Sequence, residues 1–277
     1  MNGDLAQYTA LATWATIGLR DGAAAAAPGL GLANDAFRFV RRLEFEGVGA
    51  AEAWLASLAG QGIERVWLAV DPGLTGPAEQ VGPTWRGEFA FVNSLNARVG
   101  LLAGDELWRG HLAPADPPGP ERRVWDVAYR AVRAPMRPQT PPLGDGVDRL
   151  ERALDRAIGF AGRHPETRNW EGVFAKARAL GEAEDPVPPY YQDLIPSADY
   201  PLGSRRLAAV AQAAWVFGGM GCWNDMGFQD PEIESEFQGV TGELFSAVLF
   251  ALVAAVNVKL SGGGGRPGRQ QPHQIGR

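Results

Sequence analysis

Between Leu244 and Val256 the chain runs for thirteen residues with a single polar side chain, Ser246. A helix of this composition has no polar stripe to turn toward water, so it must be covered on every side. The run is shorter than the roughly 20 residues a bilayer-spanning helix needs. The chain must therefore build a core that encloses it, and the helices around it carry too little apolar surface to do so alone. A chain of 277 residues is long enough for one large domain or two small ones with such a core.

What covers it is sought upstream, where short runs suit a sheet. Tyr8 to Arg20, rich in Thr, Ile, Trp and Tyr, reads as a first strand. Phe37, Phe39, Leu43 and Phe45 take odd positions while Arg38, Arg42, Glu44 and Glu46 take even ones, with Val40 and Arg41 breaking the rule. That period of two predicts a half-buried strand. Ala51 to Leu58 reads as a short helix, Ile63 to Val70 as a buried strand closed by Asp71-Pro72-Gly73. Glu88 to Val92 and Ala97 to Leu102 suggest a hairpin across Asn93-Ser94-Leu95-Asn96, and Arg123 to Val132 alternates once more. Strands that follow one another without regular helical crossovers favour an antiparallel or mixed sheet.

Pro135, Pro138, Pro141 and Pro142 mark a change of composition. Val147, Leu150, Leu154 and Ile158 then follow the 3.6-residue period, with Asp145 as a candidate cap. Trp170 to Leu180 and Leu207 to Phe217 give two more helices, and Asp230 to Leu260 a long fourth one, with Asp230 as N-cap and Pro231 at the first helical position. The expected class is α+β: residues 1–134 strand-rich with one helix, residues 135–260 a helical subdomain of about four helices packed on the sheet as one cooperative unit. Residues 261–277, glycines and arginines with no apolar face, are expected to be disordered.

Composition narrows the function. A formal charge of −6 argues against a general nucleic-acid binder, which needs a cationic face. One cysteine allows no internal disulfide, and Met1-Asn2-Gly3-Asp4 lacks the basic and apolar regions of a signal peptide, so a soluble cytoplasmic protein away from membranes is expected. No cofactor motif is complete. Pro28-Gly29-Leu30-Gly31 lacks the third glycine of a dinucleotide fingerprint, and Gly262 to Gly265 lacks the Lys-Ser/Thr of a phosphate loop. Asp225, Asp230, Glu232, Glu234 and Glu236 crowd together without calcium-loop spacing, so no metal is expected. Cys222 has only His111 and His164 as bases outside the tail, and reads as a small thiol packing among glycines.

Two stretches remain as candidate sites. One is Trp223-Asn224-Asp225, a turn flanked by glycines between two apolar helices. The other is Tyr190-Tyr191-x-Asp193, in a proline-rich connection. Aromatics beside a carboxylate on long connections often furnish sites. The blander alternative is that Asn224 and Asp225 satisfy backbone groups at a helix junction, in which case Asp225→Asn costs about 1 kcal/mol. The lack of a complete catalytic set favours a non-catalytic protein that binds a protein partner or small ligand. The alternative is an acid–base enzyme with its site between the 190–200 loop and the 218–230 turn. Composition leaves the oligomeric state open.

Overall fold

The stretch read as a first strand is a helix. In the computed structural model, which describes residues 1–76, 98–133, 136–196, 199–218 and 221–260, helix α1 spans Gly3–Asp21 and is buried almost end to end. Strand propensity loses here because the polar side chains find partners inside the helix and beyond it. Thr9 Oγ1 donates to the Leu5 carbonyl at 2.8 Å and Thr13 Oγ1 to the Thr9 carbonyl at 2.9 Å, the back-bonding that lets a hydroxyl sit in a buried helix. Thr16 Oγ1 donates to the Val66 carbonyl and accepts from the Val66 amide, at 2.9 and 3.2 Å. Asn2 caps the helix, its side chain accepting from the Asp4 amide at 2.7 Å.

After α1 come α2 (Ala23–Leu30), β1 (Val40–Phe45), α3 (Ala51–Gly60), β2 (Trp67–Val70) and a single turn, α4 (Pro72–Thr75). Strands β3 (Val99–Ala103), β4 (Glu106–Pro114) and β5 (Trp125–Arg133) complete the sheet. The first half thus holds three full helices among its described residues rather than one. The expected hairpin has its first strand and turn outside the described residues, as does the 261–277 tail. The class is nonetheless α+β, with a mixed five-stranded sheet ordered β1-β5-β4-β3-β2. Only β1 and β5 run parallel; β4 pairs antiparallel with both neighbours, and β3 with β2. The β3–β4 turn needs Gly104, whose φ of +58° an L side chain rarely adopts. The break in alternation at Val40 and Arg41 is physical: the β1–β5 register shifts between Val40 and Arg42, a bulge. Val40 and Phe45 can then both be buried.

The helical half contains α5 (Leu143–Arg163), α6 (Arg168–Ala179), α7 (Leu202–Ala213) and α8 (Pro231–Val256). Asp230 caps α8, accepting from the Glu232 and Ile233 amides at 2.8 and 3.3 Å. With its polar first turns included, α8 reaches 26 residues, long and apolar enough to cross a bilayer, yet 83% of its most apolar stretch is buried inside the protein. It packs against α5, α7, α1 and β2. At about 1.5–3 kcal/mol for each fully buried Leu, Val or Phe, that enclosure is a major stabilising term.

The end of α8 is tied to the sheet. Asn257 accepts from the Leu68 amide at 3.0 Å and donates to the Leu68 carbonyl at 2.9 Å, occupying the open edge of β2 as a neighbouring strand would. Arg65 donates to the Val256 and Val258 carbonyls at 3.1 and 2.6 Å. One apolar core runs from α1 and the sheet through α8 into α5 and α6.

Candidate functional site

At the end of the sheet where β1 and β5 begin and β4 runs out, a cavity of about 600 Å³ opens beneath the N-terminus of α1. The strand ends bring Val40, Leu112 and Trp125 to its wall. Trp125 arrives there because it opens β5 on the core-facing phase shared by Val127 and Tyr129. Helix α6 adds Trp170, and the segment after α7 adds Trp215 and Phe217. Trp215 is held by its indole N–H, which donates to the Phe217 carbonyl at 2.6 Å. Tyr190, Tyr191 and Phe39 complete seven aromatic side chains around the space.

The polar lining is acidic. Asp4 and Asp35 face the cavity, and no Lys, Arg or His lines it among the described residues. Asp4 is 3% exposed. The amino group of Met1 also lies at the wall, but burial lowers its pKa from 8.0 to about 5, so it is neutral at pH 7. The N-terminus of α1 contributes a partial positive charge of about half a unit, less than the formal charge of either carboxylate. Arg38 stays outside, its guanidinium 4.6 Å from the centre of the Phe39 ring.

Other groups at the wall are held in their neutral forms. Burial pushes the Tyr191 phenol up from its ordinary value. Burial, aided by the nearby Asp225 charge, raises the Cys222 thiol as well, so it is not the thiolate a nucleophile needs. Cys222 packs on Gly218, where an added Cβ would lie 2.8 Å from its sulfur. That contact fits a thiol packed among glycines.

The two stretches singled out in the sequence do approach each other, one through its chosen tyrosines and the other through residues just before its chosen turn. Tyr190 and Tyr191 share the cavity with Gly218 and Cys222, whereas Trp223, Asn224 and Asp225 do not line it. Trp223 is completely buried, with its indole N–H on Thr241 Oγ1 at 2.8 Å and its ring against Phe174 and Phe237, both 5.0 Å away between centroids. It backs Trp170 at 6.0 Å, edge to face, and so touches the site only through that wall residue. Asn224 closes the turn, accepting from the Gly218 amide at 3.0 Å and donating to its carbonyl at 3.3 Å. Asp225 is exposed. Asp193 belongs to an adjoining cavity that also has Tyr191 in its wall. One of its oxygens accepts from the Asp35 amide at 3.3 Å, and burial holds its carboxyl above the usual range.

Comparison with protein-family models, curated proteins and solved structures finds no match in any of the three. The site must therefore be read from its own chemistry. Asp4, Asp35, Trp125, Trp170 and Trp215 were not singled out in the sequence. Trp125 carried a usable signal, as the large first residue of an alternating strand. The others are gathered by topology alone, from four elements far apart in the chain. Among the described residues, no three His, Cys, Asp or Glu side chains gather as a metal site.

Proposed function

We propose that the chain binds a small organic cation with an apolar body in the cavity between α1, the start of β5 and the 190–191 loop. The observation that carries this is the lining: seven aromatic side chains and two carboxylates, with no basic side chain among the described residues. Aromatic faces attract a cation by about 0.5–2 kcal/mol each, and more when water is excluded. Its volume lies within the roughly 300–1,000 Å³ of small-molecule sites. The neutral thiol and phenol supply neither nucleophile nor base, which favours binding over turnover. The lone cysteine suits the reducing cytoplasm as the place of action. The acid–base reading keeps one support, the raised Asp193 carboxyl, but that group sits in the adjoining cavity.

Calorimetric titration with benzyltrimethylammonium and its uncharged carbon isostere tests the proposal. The cation should bind about tenfold more tightly, one or two ring–cation contacts' worth. Asp35→Asn should weaken the cation and leave the isostere unchanged. Equal affinity for the two ligands, or no binding of either, overturns it.

A further inference from the structure

Gln7 stands in the wall of the first cavity, one turn along α1 from Asp4, and its side chain is buried to 3% exposure. Its oxygen Oε1 accepts from the Tyr129 hydroxyl at 3.4 Å. Its amide nitrogen Nε2 has no hydrogen-bond partner among the described residues, yet it keeps accessible surface. A side chain so nearly covered, in the wall of an open cavity, has that cavity as the place where its free nitrogen meets solvent.

Tyr129 fixes which way the amide faces. Burial raises this phenol well above its ordinary value, so it keeps its proton and donates. Its ring is held in place, stacked on Phe45 at 5.0 Å and edge-on to Tyr8 at 5.7 Å between centroids. The Gln7 oxygen is therefore turned toward the core, and the NH2 group away from it. Other donors at the same wall are already used. The Trp215 indole gives its proton to the Phe217 carbonyl at 2.6 Å, and the Gly218 amide gives its own to Asn224 at 3.0 Å. Gln7 thus adds one neutral, open donor to a lining that is otherwise aromatic and acidic.

Residues three apart on a helix have Cβ atoms about 5–6 Å apart, so this donor stands a short distance from the Asp4 carboxylate. A group that accepts from it must itself be neutral. A carboxylate there would face Asp4 and Asp35 with no basic side chain in the lining, among the described residues, to offset the repulsion. We propose that the ligand of the first cavity is an ammonium ion carrying a carbonyl group a short spacer from its nitrogen, as in an amino-alcohol ester or the corresponding amide, with that carbonyl accepting from Gln7 Nε2. This rests on the cation reading of the cavity and names what the cation carries.

Calorimetric titration of the full chain with three ligands of one length tests it. They are acetylcholine, pentyltrimethylammonium, which has methylenes in place of the ester, and neohexyl acetate, which has carbon in place of the charged nitrogen. Acetylcholine should bind about fivefold more tightly than pentyltrimethylammonium, the yield of one net hydrogen bond. Gln7→Leu should abolish that preference. Equal or tighter binding of pentyltrimethylammonium by the wild-type protein overturns the proposal, because water is then partner enough for Gln7, and this comparison needs no variant to fold. A preference that persists undiminished in a folded Gln7→Leu protein overturns it too. Failure of the cation reading would look different: neohexyl acetate would match acetylcholine while pentyltrimethylammonium stayed weaker, and the Gln7 contact would stand. Binding of none of the three overturns both.

Discussion

The 223–225 turn and the 190–193 loop are made of the same kinds of residue, aromatics beside a carboxylate on a connecting segment, and the fold uses them in opposite ways. The turn joins α7 to α8, two helices that pack on each other, and a link between packed helices is drawn over their shared core. Its indole ends up wedged among Phe160, Phe174 and Phe237. The loop joins α6 to α7 but lies across α1 instead, held there by Thr13 on the Leu194 carbonyl at 2.6 Å and Trp14 on the Asp193 carbonyl. These anchors grip its backbone, and its side chains line two cavities. What separates a core turn from a site loop here is which atoms are anchored, a property that composition does not carry.

The largest effect that could break this contrast is at Trp223. Trp223→Ala should cost about 3–5 kcal/mol, since it leaves a cavity and strands the Thr241 hydroxyl. Tyr190→Ala, at a side chain 55% exposed, should change stability by no more than about 0.5 kcal/mol while weakening the cation. Denaturant midpoints and titrations on both variants check the pair. A Trp223 variant that stays stable but loses ligand would move the turn into the site.

Next in size is the cap of α8. Asp230→Ala should lower stability by about 1 kcal/mol, the usual loss of an N-cap carboxylate, with ligand binding intact in the folded protein. Loss of binding without loss of stability would place Asp230 in a functional role.

A smaller effect, screened because the group is partly solvated, comes from the loop's own carboxylate. Burial, with the Asp35 charge as a lesser contributor, raises Asp193 above its ordinary value of 3.8, so the folded state holds its proton to higher pH than the unfolded one. Stability should therefore fall as pH rises from 3.8 through the folded pKa. Asp193→Asn should flatten that slope and make the protein more stable than wild type above it. Thermal melts from pH 3 to 7 measure the difference, and an unchanged slope would mean that the carboxyl is not desolvated.

Several elements were legible in the sequence because a single pattern dictated them. Val147, Leu150 and Leu154 announced α5 by period alone, and Asp230-Pro231 announced the start of α8. Helix α1 was not legible because its threonines favour strands until their hydroxyls find carbonyl partners, some of them as distant as Leu194 and Val66. The site was half legible for a similar reason. Tyr190, Tyr191 and Asp193 lie close together in sequence, but Asp4, Trp125 and Trp215 meet only when the sheet, α1 and α7 have closed on one another.

The smallest expected effect is at Asp225, and it decides between the two roles most directly. From sequence alone Asp225→Asn costs about 1 kcal/mol, on the premise that this carboxylate accepts backbone N–H bonds. In the structure Asn224 does that work through Gly218, and the Asp225 carboxylate is exposed, with the Asn224 amide as a long partner at 3.4 Å. Asp225→Asn should therefore change stability by less than about 0.5 kcal/mol, as surface substitutions do. Asn224→Ala should carry the loss of about 1 kcal/mol instead. The charge of Asp225 is still felt locally, because it helps burial to raise the Cys222 thiol. Its removal should lower that pKa, so that alkylation of Cys222 at a fixed pH near 8 becomes faster while the melt hardly moves. Paired melts and iodoacetamide rates on the two variants separate the outcomes. A drop of 1 kcal/mol or more at Asp225, or an unchanged alkylation rate, would show that the carboxylate points elsewhere and would return the turn to the list of candidate sites.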